Sequence, residues 1–365
     1  MKTIMTVIGT RPEAIKLIPI IIALRENKYF KNTVCISDQH TDLVDPLLVS
    51  SNIKIDCRIK NHKNNGSLHE SAAYMLEQFG MILKEANPEL IIVQGDTTTA
   101  FSGALAAFYL QIPIAHVEAG LRTGNLYSPW PEEAHRCLID RLATYFFAPT
   151  KQAQNALIAE GMDPKKIWTV GNTSIDAIRL VAKFSKVNSE LKQKIIVVTV
   201  HRRENHGDPL TEICHALLSI AQEFPNIKIV FCLHPNHVVR ELVTSILSGI
   251  NNIDLVPPID HHSFVQLLNK SILIITDSGG IQEEASFMGK PVLIVRDTTE
   301  RPEGIKAGNA RLVGTNSIDI IDCCKQILSD QEILNSMSKV HFPYGDGYTA
   351  QRIVNILEQE LGRVN

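Results

Sequence analysis

The chain has 365 residues, 44% of them hydrophobic and 21% charged, which is the composition of a globular protein long enough for two domains, each burying a core. A net charge of −3 gives no footprint for nucleic acid or an anionic membrane, and no apolar run has the length of a membrane span or a signal peptide. The seven cysteines follow no zinc or disulfide spacing and read as small buried hydrophobes in a reducing cytoplasm.

A β-branched run at 3–8 reads as a strand. Gly9-Thr10-Arg11-Pro12-Glu13 then turns into a helix over 14–25, with Pro12 suited to the first helical turn. Arg11 and Lys16 thus lie at, or one turn into, a helix N-terminus, where free N–H groups and the macrodipole attract anions. Taken singly, Lys16 also reads as a solvated helix residue. A strand at 33–37 opens into Asp38-Gln39-His40-Thr41-Asp42, and helices follow at 41–51 and 68–86. A strand at 90–93 ends in Gln94-Gly95-Asp96-Thr97-Thr98-Thr99 before a helix at 100–110. Asp96 is therefore a carboxylate at a strand's carboxyl end, or simply a helix cap.

The short apolar run Ile112-Pro113-Ile114-Ala115 delivers the densest stretch of the chain, from His116-Val117-Glu118 through Arg122 to Pro131-Glu132-Glu133-Ala134-His135-Arg136. Loops leaving the carboxyl ends of parallel strands hold the ligands of α/β proteins, although a charged loop is often only solvated. Strands near 145–147 and at 167–170 and a helix from Lys151 close this half. The polar segment 183–194 reads as part of a linker.

The second half repeats the alternation. A strand at 195–200 delivers His201-Arg202-Arg203-Glu204-Asn205, and one at 227–233 delivers His234-Pro235-Asn236. A strand at 272–276 delivers Asp277-Ser278-Gly279-Gly280 and a helix at once. A strand at 291–295 delivers Arg296-Asp297-Thr298-Thr299-Glu300-Arg301-Pro302-Glu303-Gly304, and 348–361 is an amphipathic helix. Strands alternating with helices over short connections predict doubly wound parallel sheets.

Ser278-Gly279-Gly280 is the best phosphate cradle, because glycine admits close backbone approach and the helix that follows presents free N–H groups. Neither a Walker loop nor a first-strand G-x-G-x-x-G occurs, so no nicotinamide or flavin cofactor is expected. No zinc spacing or H-E-x-x-H occurs, so no metal is expected either. Arg11, Lys16, Asp96, Glu118 and Glu132 in one half, with His201, the Ser-Gly-Gly cradle and Arg301 in the other, describe a cofactor-free enzyme on a nucleotide sugar.

These motifs, in order along nearly the whole chain, resemble the non-hydrolysing bacterial UDP-N-acetylglucosamine 2-epimerases. The resemblance rests on Gly9 to Lys16, Gly95 to Thr99, His116 to Gly124, Pro131 to Glu133, His201 to Asn205, Asp277 to Gly280 and Arg296 to Gly304. It implies an α/β protein of two Rossmann-like doubly wound domains facing a central cleft, the GT-B type, with the last helix returning to the N-terminal domain. The implied domains are 1–172 plus 348–365, carrying the catalytic acids, and 173–347, binding UDP. It further implies a cytoplasmic homodimer that supplies UDP-N-acetylmannosamine for surface polysaccharides. The reaction would run by anti elimination of UDP to 2-acetamidoglucal and re-addition after protonation of the opposite face. By matching position Asp96, Glu118, Glu132 and His201 form the catalytic group. Arg11, Lys16, Arg136, Phe264, Ser278, Gly279, Gly280, Glu284 and Arg301 would bind the substrate.

The chain departs from the family in places. Gln39-His40-Thr41-Asp42 replaces the usual Gln-His-Arg-Glu and Pro46 a polar residue, in the region that binds a second, activating substrate molecule in many members. His135 stands where Asn is usual, and His234-Pro235-Asn236-His237 differs from the common His-Leu-Asn-Pro. The competing readings are a hydrolysing epimerase releasing N-acetylmannosamine and UDP, a catalytically silent UDP-sugar-binding module, and a glycosyltransferase of the same fold.

Overall fold

The computed structural model describes residues 1–38, 41–60, 67–184, 194–234 and 236–362, without the side chains of 41–43, 182–184 and 203. The chain divides into one unit of Met1–Leu180 with Gly345–Asn365 and a second of Val181–Tyr344.

The first unit runs β1 (Lys2–Ile8), α1 (Arg11–Glu26), β2 (Phe30–Ser37), α2 (Thr41–Ser50), β3 (Cys57–Ile59), α3 (Leu68–Ala86), β4 (Leu90–Gln94), α4 (Thr98–Tyr109), β5 (Ile114–Val117), α5 (Glu132–Leu142), β6 (Tyr145–Ala148), α6 (Lys151–Ala159), β7 (Ile167–Thr169) and α7 (Thr173–Phe184). Its seven strands are all parallel, in the order β3-β2-β1-β4-β5-β6-β7. Each strand side buries apolar residues, as a sheet covered on both faces requires. On β1, Ile4 and Ile8 pack with Leu17, Ile20, Ile21 and Leu24 of α1. Met5 and Val7, pointing the other way, pack with Phe79 of α3 and Ala104 of α4.

The second unit runs β8 (Lys194–Thr199), α8 (Asp208–Glu223), β9 (Ile227–Cys232), α9 (His237–Leu247), β10 (Ile253–Val256), α10 (His261–Lys270), β11 (Leu273–Thr276), α11 (Gly279–Met288), β12 (Val292–Ile294), α12 (Pro302–Ala307), β13 (Ala310–Leu312), α13 (Ser317–Ser329) and α14 (Gln331–Met337). Its six strands are parallel in the order β10-β9-β8-β11-β12-β13. One face packs Ile196 and Val198 with Leu210, Ile213 and Leu217, and the other packs Val197 and Ile274 with Leu268, Ile281 and Ala285.

The last helix, α15 (Thr349–Gly362), belongs to the first unit. Ile353, Val354 and Leu357 are fully buried with the α1 side chains, and Lys2 Nζ donates to the Leu361 carbonyl at 2.6 Å. The helix expected to return to the N-terminal domain does so. The sequence division at 172/173 differs from the structural one. Asp176 of α7 accepts the Ala350 N–H at 2.8 Å, and Arg179 donates to the Gly347 carbonyl and the Tyr348 hydroxyl. These bonds keep most of α7 with the first unit. The linker reading of 183–194 falls largely on residues outside those described, as do Gln39, His40 and Pro235.

Both sheets have the 3-2-1-4-5-6 order of a dinucleotide-type fold, so each reverses its winding at one place. In the first sheet that switch point lies between β1 and β4, and in the second between β8 and β11. A crevice opens at the carboxyl ends of such a strand pair, because the following helices leave on opposite faces.

Candidate active site

The first switch point is framed by Gly9-Thr10-Arg11 after β1 and by Gly95-Asp96-Thr97 after β4. Glu13 ties the two turns together. Its Oε2 accepts the N–H groups of Gly9 (3.1 Å) and Thr10 (2.6 Å), and its Oε1 accepts the Thr97 hydroxyl (2.7 Å). Burial pushes the Glu13 carboxyl up to about 7, against the pull of these donors. Sequence reasoning missed Glu13; its signal was the Thr10-to-Glu13 spacing of a capping box.

β5 lies next to β4 and delivers Glu118. Lys16, one turn into α1, places Nζ 2.5 Å from Glu118 Oε2, with side-chain exposures of only 12% and 6%. The Gln94 amide also donates to Glu118. Glu118 has φ +70°, in the left-handed region that non-glycine residues seldom occupy. Two residues on, Gly120 has φ +85°, and a Cβ there would overlap the Ala153 carbonyl oxygen, so only glycine allows this turn to lie against α6.

Asp96 is gripped by Arg136, which donates through Nε (3.0 Å) and Nη2. The Asp96 side chain keeps 25% of its surface open. Glu133, by contrast, is buried: it accepts the N–H groups of Thr123 (2.8 Å) and Gly124 (3.0 Å) and Arg136 Nη1 (3.1 Å). It staples the preceding loop to α5. Glu132, partly exposed, opens α5 and lies one turn before Arg136, on the same helix face. His135, at its departure from the family, stacks on Phe101 with ring centroids 5.0 Å apart. Its Nδ1 donates to the Asp96 carbonyl at 3.0 Å, and burial holds its pKa below the ordinary value.

At the second switch point, buried Asp277 accepts the N–H groups of His201 (3.0 Å) and Arg202 (2.8 Å) and the Asn205 amide (2.9 Å). His201 Nδ1 lies 3.2 Å from Asp277, with 40% of the side chain exposed. Burial, with Arg202 and Arg296 nearby, outweighs Asp277 and lowers the His201 pKa. Ser278 stands at the N-cap position of α11 without a side-chain capping bond, and the first-turn N–H groups have no partner within the helix. The Arg301 guanidinium packs on Gly279, where a Cβ would overlap it, and pairs with Glu283 (2.6 Å) and Glu300 (2.5 Å). Burial opposes ionisation of Glu300, but Arg301, Arg202 and Arg296 prevail and hold it well below the usual carboxylate range. Glu284 is buried on α11, and Phe264 of α10 packs against the cluster containing Ile281 and Ala285.

The predicted residues therefore gather at two places. Arg11, Lys16, Asp96, Glu118, Glu132 and Arg136 belong to the first unit's switch-point region, and His201, Ser278, Gly279, Gly280 and Arg301 to the second's. Among the described residues, no group of three or more His, Cys, Asp or Glu could hold a metal ion, and no helix is long and apolar enough to cross a membrane. Departure residues Thr41 and Asp42 lie in α2 with side chains outside the description, and Pro46 is inside that helix. Asp45 of α2 pairs with Arg58 at 2.9 Å.

A glycine-opened helix start at one switch point and cation-paired carboxylates at the other fit a class: two-unit α/β enzymes whose substrates are carried on a phosphate. Comparison with known proteins sharpens the class. A family model described as UDP-N-acetylglucosamine 2-epimerase matches residues 22–358. The chain is 45% identical to an Escherichia coli K12 UDP-N-acetylglucosamine 2-epimerase, over 97% of this chain and 98% of that protein. It is 44% identical to a Yersinia pestis protein of the same name, at the same coverage. The solved Neisseria meningitidis UDP-GlcNAc 2-epimerase bound to UDP-GlcNAc superposes with a TM-score of 0.95 at 40% identity, covering 98% of this chain and 100% of that one. The S. aureus MnaA–UDP structure gives 0.94 at 39% identity, covering 100% and 98%. The chain belongs to the UDP-N-acetylglucosamine 2-epimerase family, and its fold is the GT-B type of those structures.

Proposed function

We propose that the chain interconverts UDP-N-acetylglucosamine and UDP-N-acetylmannosamine by eliminating and re-adding UDP, with the second unit holding the diphosphate and the first supplying the proton carriers. Membership of the family makes it a non-hydrolysing 2-epimerase, an isomerase, and does not favour hydrolysis or silent binding. The observation that carries the mechanism is a pair of carboxylates, Asp96 and Glu118, at the ends of adjacent strands, each ion-paired to a cation of its own unit.

The hydrogen on carbon 2 is not beside a carbonyl and resists removal by a carboxylate alone. Loss of UDP, with the C1–O electron pair, builds positive charge at carbon 1 and acidifies that hydrogen. A carboxylate then takes the proton, and the C2–H electrons become the C1–C2 double bond of 2-acetamidoglucal. Return of a proton to the other face of carbon 2 and attack of a UDP oxygen on carbon 1 give the epimer. Asp96, Glu118 and Glu132 are the proton-transfer and cation-stabilising groups, and acids on opposite faces account for inversion. His201, Arg301 and the α11 N-terminus bind the departing diphosphate. We assign Arg11, Lys16, Arg136, Phe264, Ser278, Gly279, Gly280 and Glu284 to substrate binding.

We further read the protein as a cytoplasmic homodimer in surface-polysaccharide synthesis. Seven free cysteines support a reducing compartment, and Met81, Phe108 and Tyr109, exposed on α3 and α4, support self-association. Sedimentation at micromolar concentration checks the dimer.

Proton NMR of the pure protein with UDP-N-acetylglucosamine in deuterium oxide tests the reaction. UDP-N-acetylmannosamine carrying deuterium at carbon 2 is expected. Free N-acetylmannosamine with UDP, or an unchanged spectrum, would overturn it. Asp96→Asn and Glu118→Gln are each expected to slow turnover by roughly 10²–10⁴-fold, the usual contribution of a general acid or base.

A further inference from the structure

We propose that His116 is a positioning residue, a fully buried ring that ties the turns carrying Asp96 and Glu118 to one carboxylate, Asp140. The inference rests on the reading of Asp96 and Glu118 as the reacting acids.

His116 is on β5, with its ring wholly inaccessible to solvent. Its Nδ1 lies 2.6 Å from Asp140 Oδ1, and its Nε2 lies 2.8 Å from the Gly95 carbonyl oxygen. A carbonyl oxygen only accepts, so Nε2 carries a hydrogen. Asp140 is also wholly buried; its Oδ2 accepts the Gly120 N–H at 3.2 Å and pairs with Arg122 Nη2 at 2.8 Å. Burial works against ionisation of Asp140, but His116 and Arg122 overcome it and hold its pKa below the ordinary value. Nδ1 thus meets a carboxylate that Gly120 and Arg122 already hold in place.

The geometry converges on the reacting groups. Gly95 immediately precedes Asp96, so the Nε2 bond fixes the peptide that aims that carboxylate. His116 and Gly120 flank Glu118 by two residues on each side, and both end on Asp140. The staple spans the one residue of this turn that holds a positive φ without being glycine. Such a conformation persists where its surroundings over-determine it. A histidine that only filled the core would need one hydrogen-bond partner; this one uses both nitrogens on the backbone and carboxylate that frame the site.

Two conservative variants separate the bonds. His116→Asn places an amide nitrogen near the Nδ1 position and keeps Asp140, while His116→Gln reaches toward Gly95 instead. Folded forms of both, verified by thermal melts, are expected to lose about 10²-fold in kcat, the scale of a misplaced reacting group, while the Kd for UDP changes less than twofold. The ring ¹⁵N spectrum of the wild-type protein is expected to show the proton of His116 on Nε2, where it faces the Gly95 carbonyl. A folded variant within threefold of wild-type kcat, or an Nε2 without a proton, would overturn the proposal, and the second readout needs no variant. An Asp96→Asn protein with wild-type turnover would instead remove the catalytic reading, and with it the purpose of the clamp, while leaving the nitrogen spectrum untouched.

Discussion

Glu13 shows how a single buried carboxyl links local structure to solution behaviour. Its folded pKa of about 7 lies above the ordinary 4.5, so the folded chain binds this proton more tightly than the unfolded one. The stability it contributes is complete below pH 4.5 and is lost as pH rises through about 7. The full shift corresponds to a few kcal/mol, on the order of 3. Gln in its place keeps an acceptor for Gly9 and Thr10 and adds a donor for Thr97. We expect Glu13→Gln to be flatter in stability between pH 4.5 and 7 and more stable than wild type at pH 8, measured by urea unfolding across that range. A wild-type slope retained in the variant would show that Glu13 stays ionised. Residues of this kind were the least legible in the sequence. Asp96, Glu118 and His201 stand in short motifs at strand ends and announce themselves. Their partners Arg136, Gln94 and Asp277 stand 40, 24 and 76 residues away. Only the strand order brings them together.

At the scale of elements, strands and helices with apolar periodicity were legible and the charged ones were not. The stretch up to Arg136 reads as one long loop, yet α5 begins at Glu132. Its inward face carries Glu133, His135, Arg136 and Asp140 with Ile139, so no apolar stripe betrays it. The edge strands β3 and β13 are three residues long and too short for alternation to register. α11 yields a sharper test. A Cβ on Gly279 would overlap the Arg301 guanidinium, whereas one on Gly280 meets nothing within 4 Å. Gly279→Ala is therefore expected to lower both Tm and UDP affinity by pushing Arg301 off Glu283 and Glu300. Gly280→Ala is expected to keep or raise Tm, because alanine favours the helix, while weakening UDP binding about tenfold where the diphosphate would lie against the backbone. Calorimetry of the two variants with UDP checks this. Equal UDP affinity of Gly280→Ala and wild type would place the phosphates elsewhere.

At the scale of the molecule, the alternation of strands and helices made two doubly wound sheets legible, and the motif order made the family legible. The line between the units was harder to see, because it depends on bonds such as Asp176 to Ala350 that join segments on either side of the whole second unit. α15 covers α1 through Ile353, Val354 and Leu357, and Asn27 and Lys166 hold Glu358 and Glu360. Truncating Ile353 leaves a cavity at the centre of this contact. Ile353→Ala is expected to cost roughly 2–5 kcal/mol in the first unit, with the UDP affinity of the second unchanged. Thermal unfolding with and without UDP measures both, and a loss under 1 kcal/mol would mean that the helix is not needed to close the core.

That packing also sets an order of events on the ribosome. The second unit, Val181–Tyr344, is continuous and can close as soon as it has emerged. The first begins earlier but lacks its cover until α15 has been made, and at about 5–20 residues per second this is a delay on the order of ten seconds or more. During that interval the side of α1 that later packs against Ile353, Val354 and Leu357 is bare greasy surface on a nascent chain. The unit proposed to carry the proton chemistry is thus the one completed last.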